Sequence, residues 1–192
     1  MQTQSPQQHK KQSMERTTPK KPRILACDPS FTAWGWAVLE GHMVQASGVI
    51  VTKKEAKKRR IRVGDDDVRR VGDLITQLVK IIEKYQITFI VTELPHGSQN
   101  SRGAIMIGIV IAALQAFNVI LNIPVEWYSE NDAKKALLGR ISASKKEVIY
   151  AINDLYDVAW TRTKYVDEAV ADALAIYYCA ECSSPTLKYI TQ

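Results

Sequence analysis

The chain is long enough for one folded domain and carries excess positive charge. It has 192 residues, of which 46% are hydrophobic and 24% charged, with a formal net charge of +6. Global disorder is therefore excluded, and polyanionic partners are favoured. Three cysteines without a second CxxC pair exclude a disulfide framework and a structural zinc site. No apolar run approaches the ~18 residues of a membrane span, and the N-terminus is polar, so we expect an intracellular protein without membrane contact.

The N-terminal half predicts a tail, a small sheet and a helix. Residues 1–22 contain three prolines and almost no large apolar side chains, which predicts a disordered basic tail that either adds phosphate affinity or has no measurable effect. The segments "RILAC", "WGWAVLE" and "MVQASGVIV" fit a three-stranded antiparallel meander. Apolar residues then recur at helical spacing in "VRRVGDLITQLVKIIEKY", which predicts an amphipathic helix.

The C-terminal half alternates strands with apolar helices. The run "ITFIVTE" is typical of a central strand, "SRGAIMIGIVIAALQAFNVIL" of a buried helix, and "IPVEWY" of a fifth strand. Three helices are predicted after it: "NDAKKALLG", "SKKEVIYAINDLY" and "DEAVADALAIYYCAEC". We therefore expect an α/β domain over residues 23–183, with a five-stranded mixed sheet and helices on both faces, followed by a C-terminal tail, 184–192.

Two predicted strands end in a carboxylate. Asp28 closes the first strand and Glu93 the fourth, and in this topology both project from the same sheet edge. Close carboxylates repel each other and take up protons unless a cation neutralises them, and their oxygens suit Mg²⁺ or Mn²⁺. Glu168 and Asp172 stand four apart, on one face of a helix. Two divalent ions become possible.

Each acid alone also has a structural explanation. Asp28 precedes Pro29 and could form a turn, Glu93 could be a strand-end charge, and Asp167 or Glu168 could cap a helix. Their joint occurrence favours a site.

The motifs resemble those of RuvC-type Holliday junction resolvases. "ILACDPSFTAWGWAVLE" is similar to the first strand, turn and second strand of that family, "FIVTE" to the strand bearing its glutamate, and "ADALAIYYC" to its end. "EWYSENDAKKALLGRISASKKEV" is similar without a gap, and its matching positions are Tyr128, Lys134, Gly139, Lys145 and Val148. The resemblance covers residues 23–182. The compact chain and divergent acid pair suggest a phage or viral member.

The resemblance implies an RNase H-like fold and metal-dependent phosphodiester hydrolysis. The metal ligands it implies are Asp28, Glu93, Glu168 and Asp172, with Mg²⁺ as cofactor and Mn²⁺ as a substitute. Lys145 corresponds to a family lysine near the scissile phosphate. One departure is that Ala169 stands where the family places its penultimate acid or histidine. Helical geometry favours Glu168 in its place, with Asp167 as the second choice.

Clustered basic residues indicate contacts with a DNA backbone, although such a run is also compatible with a merely solvated face. The densest stretch holds Lys53, Lys54, Lys57, Lys58, Arg59, Arg60 and Arg62, followed by Arg69 and Arg70. "GDDD" just after it cancels part of this charge. Further candidate DNA contacts are Lys134, Lys135 and Lys146.

The leading hypothesis is a structure-selective endonuclease that cuts Holliday junctions or related branched DNA in recombination or genome resolution. The resemblance implies a homodimer, because a two-fold symmetric junction needs two symmetric cuts. It would act in the cytoplasm or nucleoid, or in the host compartment of DNA replication if viral. The alternatives are a branched-DNA-binding protein that has lost cleavage, a nuclease for flaps, forks or RNA-containing duplexes, and an actin-like ATPase, for which the chain is too short.

Overall fold

The computed structural model of the protein describes residues 21–55, 61–98 and 100–191. The five strands are β1 (Ile24–Asp28), β2 (Ala33–Glu40), β3 (Met43–Val51), β4 (Phe89–Glu93) and β5 (Val125–Tyr128). The six helices are α1 (Val63–Tyr85), α2 (Ser101–Leu121), α3 (Glu130–Leu138), α4 (Lys145–Leu155), α5 (Lys164–Ser183) and α6 (Pro185–Thr191).

The strands form one mixed sheet in the order β3-β2-β1-β4-β5. β1 pairs antiparallel with β2, and β2 with β3, whereas β1 and β4, and β4 and β5, are parallel. The carboxyl ends of three neighbouring strands therefore lie at one edge of the sheet. The predicted five-stranded mixed sheet is confirmed.

Helices cover both faces because side chains alternate along the buried strands. Leu25 of β1 and Ile90 of β4 face α1 and α2, where Leu74 and Leu114 complete one core cluster. The neighbouring strand residues face α3, α4, α5 and α6 and form the second core cluster. The sheet is thus the rigid central layer, and its edge is a fixed platform for side chains.

Two predicted boundaries and one predicted tail differ from the structure. α1 begins at Val63 and α5 at Lys164, several residues before the segments that predicted them, because the first turns mix apolar residues with glycine or charged residues and show no clear apolar periodicity. The predicted tail over residues 184–192 is wrong for residues 185–191, which form α6. Leu187 is 1% exposed and anchors that helix in the core.

The prediction that α2 is buried is also wrong. The helix buries Val110, Ala113, Leu114 and Phe117, but Val119 and Ile120 are 78% and 76% exposed. By length and composition alone α2 could cross a membrane, with a mean hydropathy of 2.4, so the expectation that no segment has this character is wrong as well. In the fold its buried face packs on the sheet, whereas Val119 and Ile120 stay exposed in the part of the chain that the structure describes.

Candidate active site

Two carboxylates project side by side from the sheet edge. Asp28 is the last residue of β1 and Glu93 the last of β4, and the parallel register that pairs Cys27 with Thr92 places the two acids next to each other. Neither carboxylate forms a hydrogen bond or ion pair with a residue in the described ranges. Charged groups held without a protein partner are costly in a half-buried place.

Helix α5 brings a third carboxylate to this edge. It crosses the sheet closely at Gly35, the partner of Asp28 in the β1–β2 register, where a Cβ would lie 2.9 Å from the Cβ of Ala169. One turn further along the helix, the Asp172 side chain is only 12% exposed. The small residues at this crossing therefore allow an acid on a helix to reach acids on strands.

The ammonium of Lys145 joins the acids. Lys145 is the first residue of α4, whose start is fixed by a capping box between Ser144 and Glu147. Its Nζ donates a hydrogen bond to Asp172 Oδ2. Burial lowers the pKa of Lys145, but the charges of Asp172, Asp28 and Glu130 together raise it above its ordinary value. Lys145 is thus held as a cation beside the carboxylates.

All three carboxylates hold protons more tightly than free acids do. Burial, followed by the charges of Asp172 and Glu93, raises the pKa of Asp28 well above its usual range. Burial, followed by the charges of Glu130 and Asp172, raises the pKa of Glu93 to about 7. Burial also raises the pKa of Asp172, against the opposing charge of Lys145. Without a cation, the cluster therefore keeps protons at pH values where free carboxylic acids have lost them.

A divalent cation fits this donor set, because carboxylate oxygens are hard ligands and a second positive centre would relieve their repulsion. Among the described residues, no three acidic, histidine or cysteine side chains converge closely enough to hold one ion as they stand. The fit therefore rests on the chemistry and charge of the acids.

The family model for crossover junction endodeoxyribonuclease RuvC matches residues 24–180. The chain belongs to the RuvC family. Similar curated relatives include RuvC of Chlorobium phaeobacteroides, 27% identical over 160 residues (81% of this chain and 79% of that one). RuvC of Francisella tularensis subsp. novicida is 30% identical over 173 residues (88% and 92%). The resemblance drawn from the motifs is thereby confirmed.

Solved structures share the fold of this RuvC family member. Thermus thermophilus RuvC in complex with a Holliday junction substrate superposes with a TM-score of 0.65 at 20% identity, covering 84% of this chain and 96% of that one. The yeast mitochondrial Holliday junction resolvase superposes with a TM-score of 0.58 at 14% identity, covering 83% and 77%. The predicted RNase H-like architecture is therefore the architecture of these resolvases.

The two candidates for the fourth RuvC acid each contact a residue outside the three-acid cluster. Glu168 Oε1 is 3.9 Å from Lys164 Nζ. Asp167 Oδ1 accepts hydrogen bonds from the Thr161 backbone N, at 2.9 Å, and from Thr161 Oγ1, at 2.8 Å. Asp167 therefore stabilises the turn before α5, but it does not cap the helix, whose N-cap residue is Thr163 without a side-chain hydrogen bond. Glu168 as the fourth ligand stays a prediction.

Sequence reasoning missed one acid at the site. Glu130 is the first residue of α3, and its Oε1 lies 2.6 Å from Lys134 Nζ and 3.9 Å from Lys145 Nζ. Lys134 was expected to contact DNA phosphates. Its side chain instead pairs with this carboxylate and is only 16% exposed. The sequence signal that could have revealed Glu130 is its position two residues after the end of the third parallel strand.

The predicted DNA contacts are basic residues of which some are exposed and some are paired with acids. Six predicted DNA contacts are exposed in the structure: Lys53, Lys54, Arg62, Arg69, Lys135 and Lys146. Arg62 pairs with Asp65 and Arg69 with Asp66, each at 2.7 Å, so the "GDDD" segment does cancel part of the charge. Four further predicted contacts lie outside the described residues: Lys57, Lys58, Arg59 and Arg60.

Arg70 does not contact DNA as predicted, because it is buried at 2% exposure. Its Nε donates to Thr52 Oγ1 at 3.1 Å, and its guanidinium carbon lies 4.3 Å from the Phe31 ring centroid. Arg70 therefore ties the turn after Asp28 to the end of β3. It supports the shape of the site and not its charge.

Proposed function

We propose that the protein is a metal-dependent, structure-selective endonuclease that hydrolyses phosphodiesters in four-way DNA junctions. The observation that carries this function is the cluster of Asp28, Glu93 and Asp172 at one sheet edge, with raised pKa values that a cation would relieve, in a member of the RuvC family. Mg²⁺ is the proposed cofactor, with Mn²⁺ as a substitute, because both prefer oxygen ligands.

The residues divide the chemistry between them. Asp28, Glu93 and Asp172 would hold the cation, and the bound cation would activate a water and stabilise the leaving 3′ oxygen. Lys145 stays protonated because acids surround it. Its ammonium would offset the negative charge that develops on the phosphoryl oxygens in the transition state. The lysine acts electrostatically and transfers no proton in this scheme.

The DNA path runs beside the acids. A cavity of about 410 Å³ opens between the turn that follows Asp28 and the N-terminal end of α2. Its lining combines the exposed cation Lys54, and Arg102 paired with Asp67 at 2.6 Å, with apolar groups such as Met106. Positive side chains at such an edge hold a phosphate backbone without reading its sequence, as an enzyme selective for branched shape requires.

Two symmetric cuts in a junction require two active sites, which a homodimer provides. The exposed apolar face of α2 is the proposed dimer interface. Its apolar residues Ile105, Val119, Ile120 and Leu121 are exposed, and a contiguous apolar face is typical of an interface. We expect V119E/I120E to be monomeric in sedimentation velocity, whereas M43E, which changes an exposed residue of β3, keeps the dimer. A monomeric unmodified protein would contradict this assignment.

The function is tested by incubating an end-labelled synthetic four-way junction, beside linear duplex, flap and fork substrates, with Mg²⁺, with Mn²⁺ and with chelator. Paired symmetric nicks on the junction alone, lost with chelator, are expected. Tight junction binding without a cut in either metal would favour the alternative of a protein that binds branched DNA but does not cleave it. The reason to consider that alternative is Ala169, which stands where the family has an acid. Preferential cutting of flaps or forks would show that the protein is a nuclease whose preferred substrate is not the four-way junction.

A further inference from the structure

We propose that Glu130 supplies the fourth carboxylate of the cation site, from α3, in place of the acid that α5 lacks at Ala169. The inference rests on the proposed function and adds a residue to its metal site. Glu168 and Asp167, the candidates suggested by helical spacing, would then have only structural roles.

The topology brings Glu130 to the correct edge. β1, β4 and β5 are parallel neighbours, and each strand end leads directly to an acid. Asp28 and Glu93 end the first two strands, and Tyr128, which pairs with Glu93 in the register, ends the third. The capping box at Ser129 starts α3 immediately afterwards, so Glu130 is fixed on the first turn beside the other strand ends.

The contacts place the Glu130 carboxylate among the site residues. Lys145 Nζ is 3.9 Å from Glu130 Oε1 and also hydrogen-bonds Asp172, so the two carboxylates share one ammonium. Glu130, Glu93 and Asp172 line the same small cavity. The Glu130 side chain is 38% exposed, which leaves its oxygens accessible to a cation from solution.

The α5 candidates are less well placed. Ala169 packs against Gly35, where even the two Cβ atoms would come within 2.9 Å, so this face of the helix is filled by the sheet. Glu168 pairs with Lys164. An acid on α3 therefore restores a set of four carboxylates without a longer side chain at the tight crossing of α5 and β2.

Manganese binding tests the assignment without relying on cleavage. Mn²⁺ binding to the full-length protein would be measured by electron paramagnetic resonance and by calorimetry for the wild type, E130Q, and the matched control E168Q. We expect E130Q to weaken Mn²⁺ binding by about tenfold or more, as loss of a site carboxylate does, and E168Q to stay within about twofold of the wild type. Unchanged affinity in E130Q, or a loss confined to E168Q, would overturn the proposal.

A second variant separates a ligand from a simple partner of a lysine. If Glu130 serves only to pair with Lys134, K134A should weaken Mn²⁺ binding as E130Q does. If Glu130 binds the cation, K134A removes a competitor and leaves the affinity equal or higher. Thermal melting of each variant without metal checks that the fold is intact.

D28N distinguishes this inference from the proposed function. Mn²⁺ binding that is lost in D28N but unchanged in E130Q would overturn only the role of Glu130. No Mn²⁺ binding in the wild type, or binding unaffected by D28N, would overturn the metal site of the proposed function and this inference together.

Discussion

Replacing Glu93 with glutamine should make the protein less sensitive to rising pH. The pKa of Glu93 is raised from 4.5 to about 7 by burial and by the charges of Glu130 and Asp172. Between these values the unfolded chain has lost this proton and the folded chain has kept it, so the free energy of unfolding falls as pH rises. The penalty is absent well below pH 4.5 and complete above pH 7. At about 1.4 kcal/mol per pKa unit it amounts to about 3 kcal/mol, reduced to about 2 kcal/mol because the group is partly exposed.

The assay is urea unfolding at pH 5 and at pH 8 in the presence of chelator. From pH 5 to pH 8 the wild type should lose about 1.5 kcal/mol more of its free energy of unfolding than E93Q does, because part of the penalty is already present at pH 5. The matched control is E83Q, because Glu83 is exposed on α1, away from the sheet edge. It should follow the wild type. Equal pH dependence in the wild type and E93Q would refute the conclusion that burial and the neighbouring acids raise the pKa of Glu93.

Two further changes test how the site is built and how DNA reaches it. G35A should destabilise the protein by about 1–3 kcal/mol in urea unfolding and reduce cleavage, because the new Cβ collides with Ala169. G72A, where a Cβ meets nothing within 4 Å, should instead stabilise α1 by about 0.5–1 kcal/mol, and a stable, active G35A would contradict the close crossing. K53A/K54A should weaken junction binding and lower the slope of log affinity against log salt by about 2. An unchanged slope would show that the exposed side chains of Lys53 and Lys54 do not contact DNA phosphates.

Much of the scaffold could be predicted because local patterns were strong. Alternation in β3 gave its bounds, Met43–Val51, directly, and the continuous apolar run before Glu93 marked a central strand covered on both faces. Strand ends also revealed Asp28 and Glu93. Helix starts were less predictable, since the first turns of α1 and α5, at Val63 and Lys164, mix apolar with charged residues and show no clear apolar periodicity.

The remaining errors depended on tertiary contacts. Glu130 is polar and follows a short strand, and only the parallel pairing of β4 with β5 brings it beside Glu93. Arg70 resembled its basic neighbours in sequence, but hydrogen bonds to residues 18 and more positions away bury it. For α2, composition indicated burial, yet its apolar residues Val119 and Ile120 are exposed in the described chain.

The most direct test of the central claim is to compare D28N with the wild type on the same four-way junction, measuring binding by gel shift with Ca²⁺ and cleavage with Mg²⁺. Asparagine has nearly the size of aspartate but no negative charge, so D28N weakens the proposed cation site and leaves the basic surface that would bind DNA unchanged. We therefore predict that D28N binds the junction at least as tightly as the wild type and produces no detectable nicks. Symmetric nicking by D28N at the wild-type rate would contradict the assignment of the sheet-edge acids as the active site.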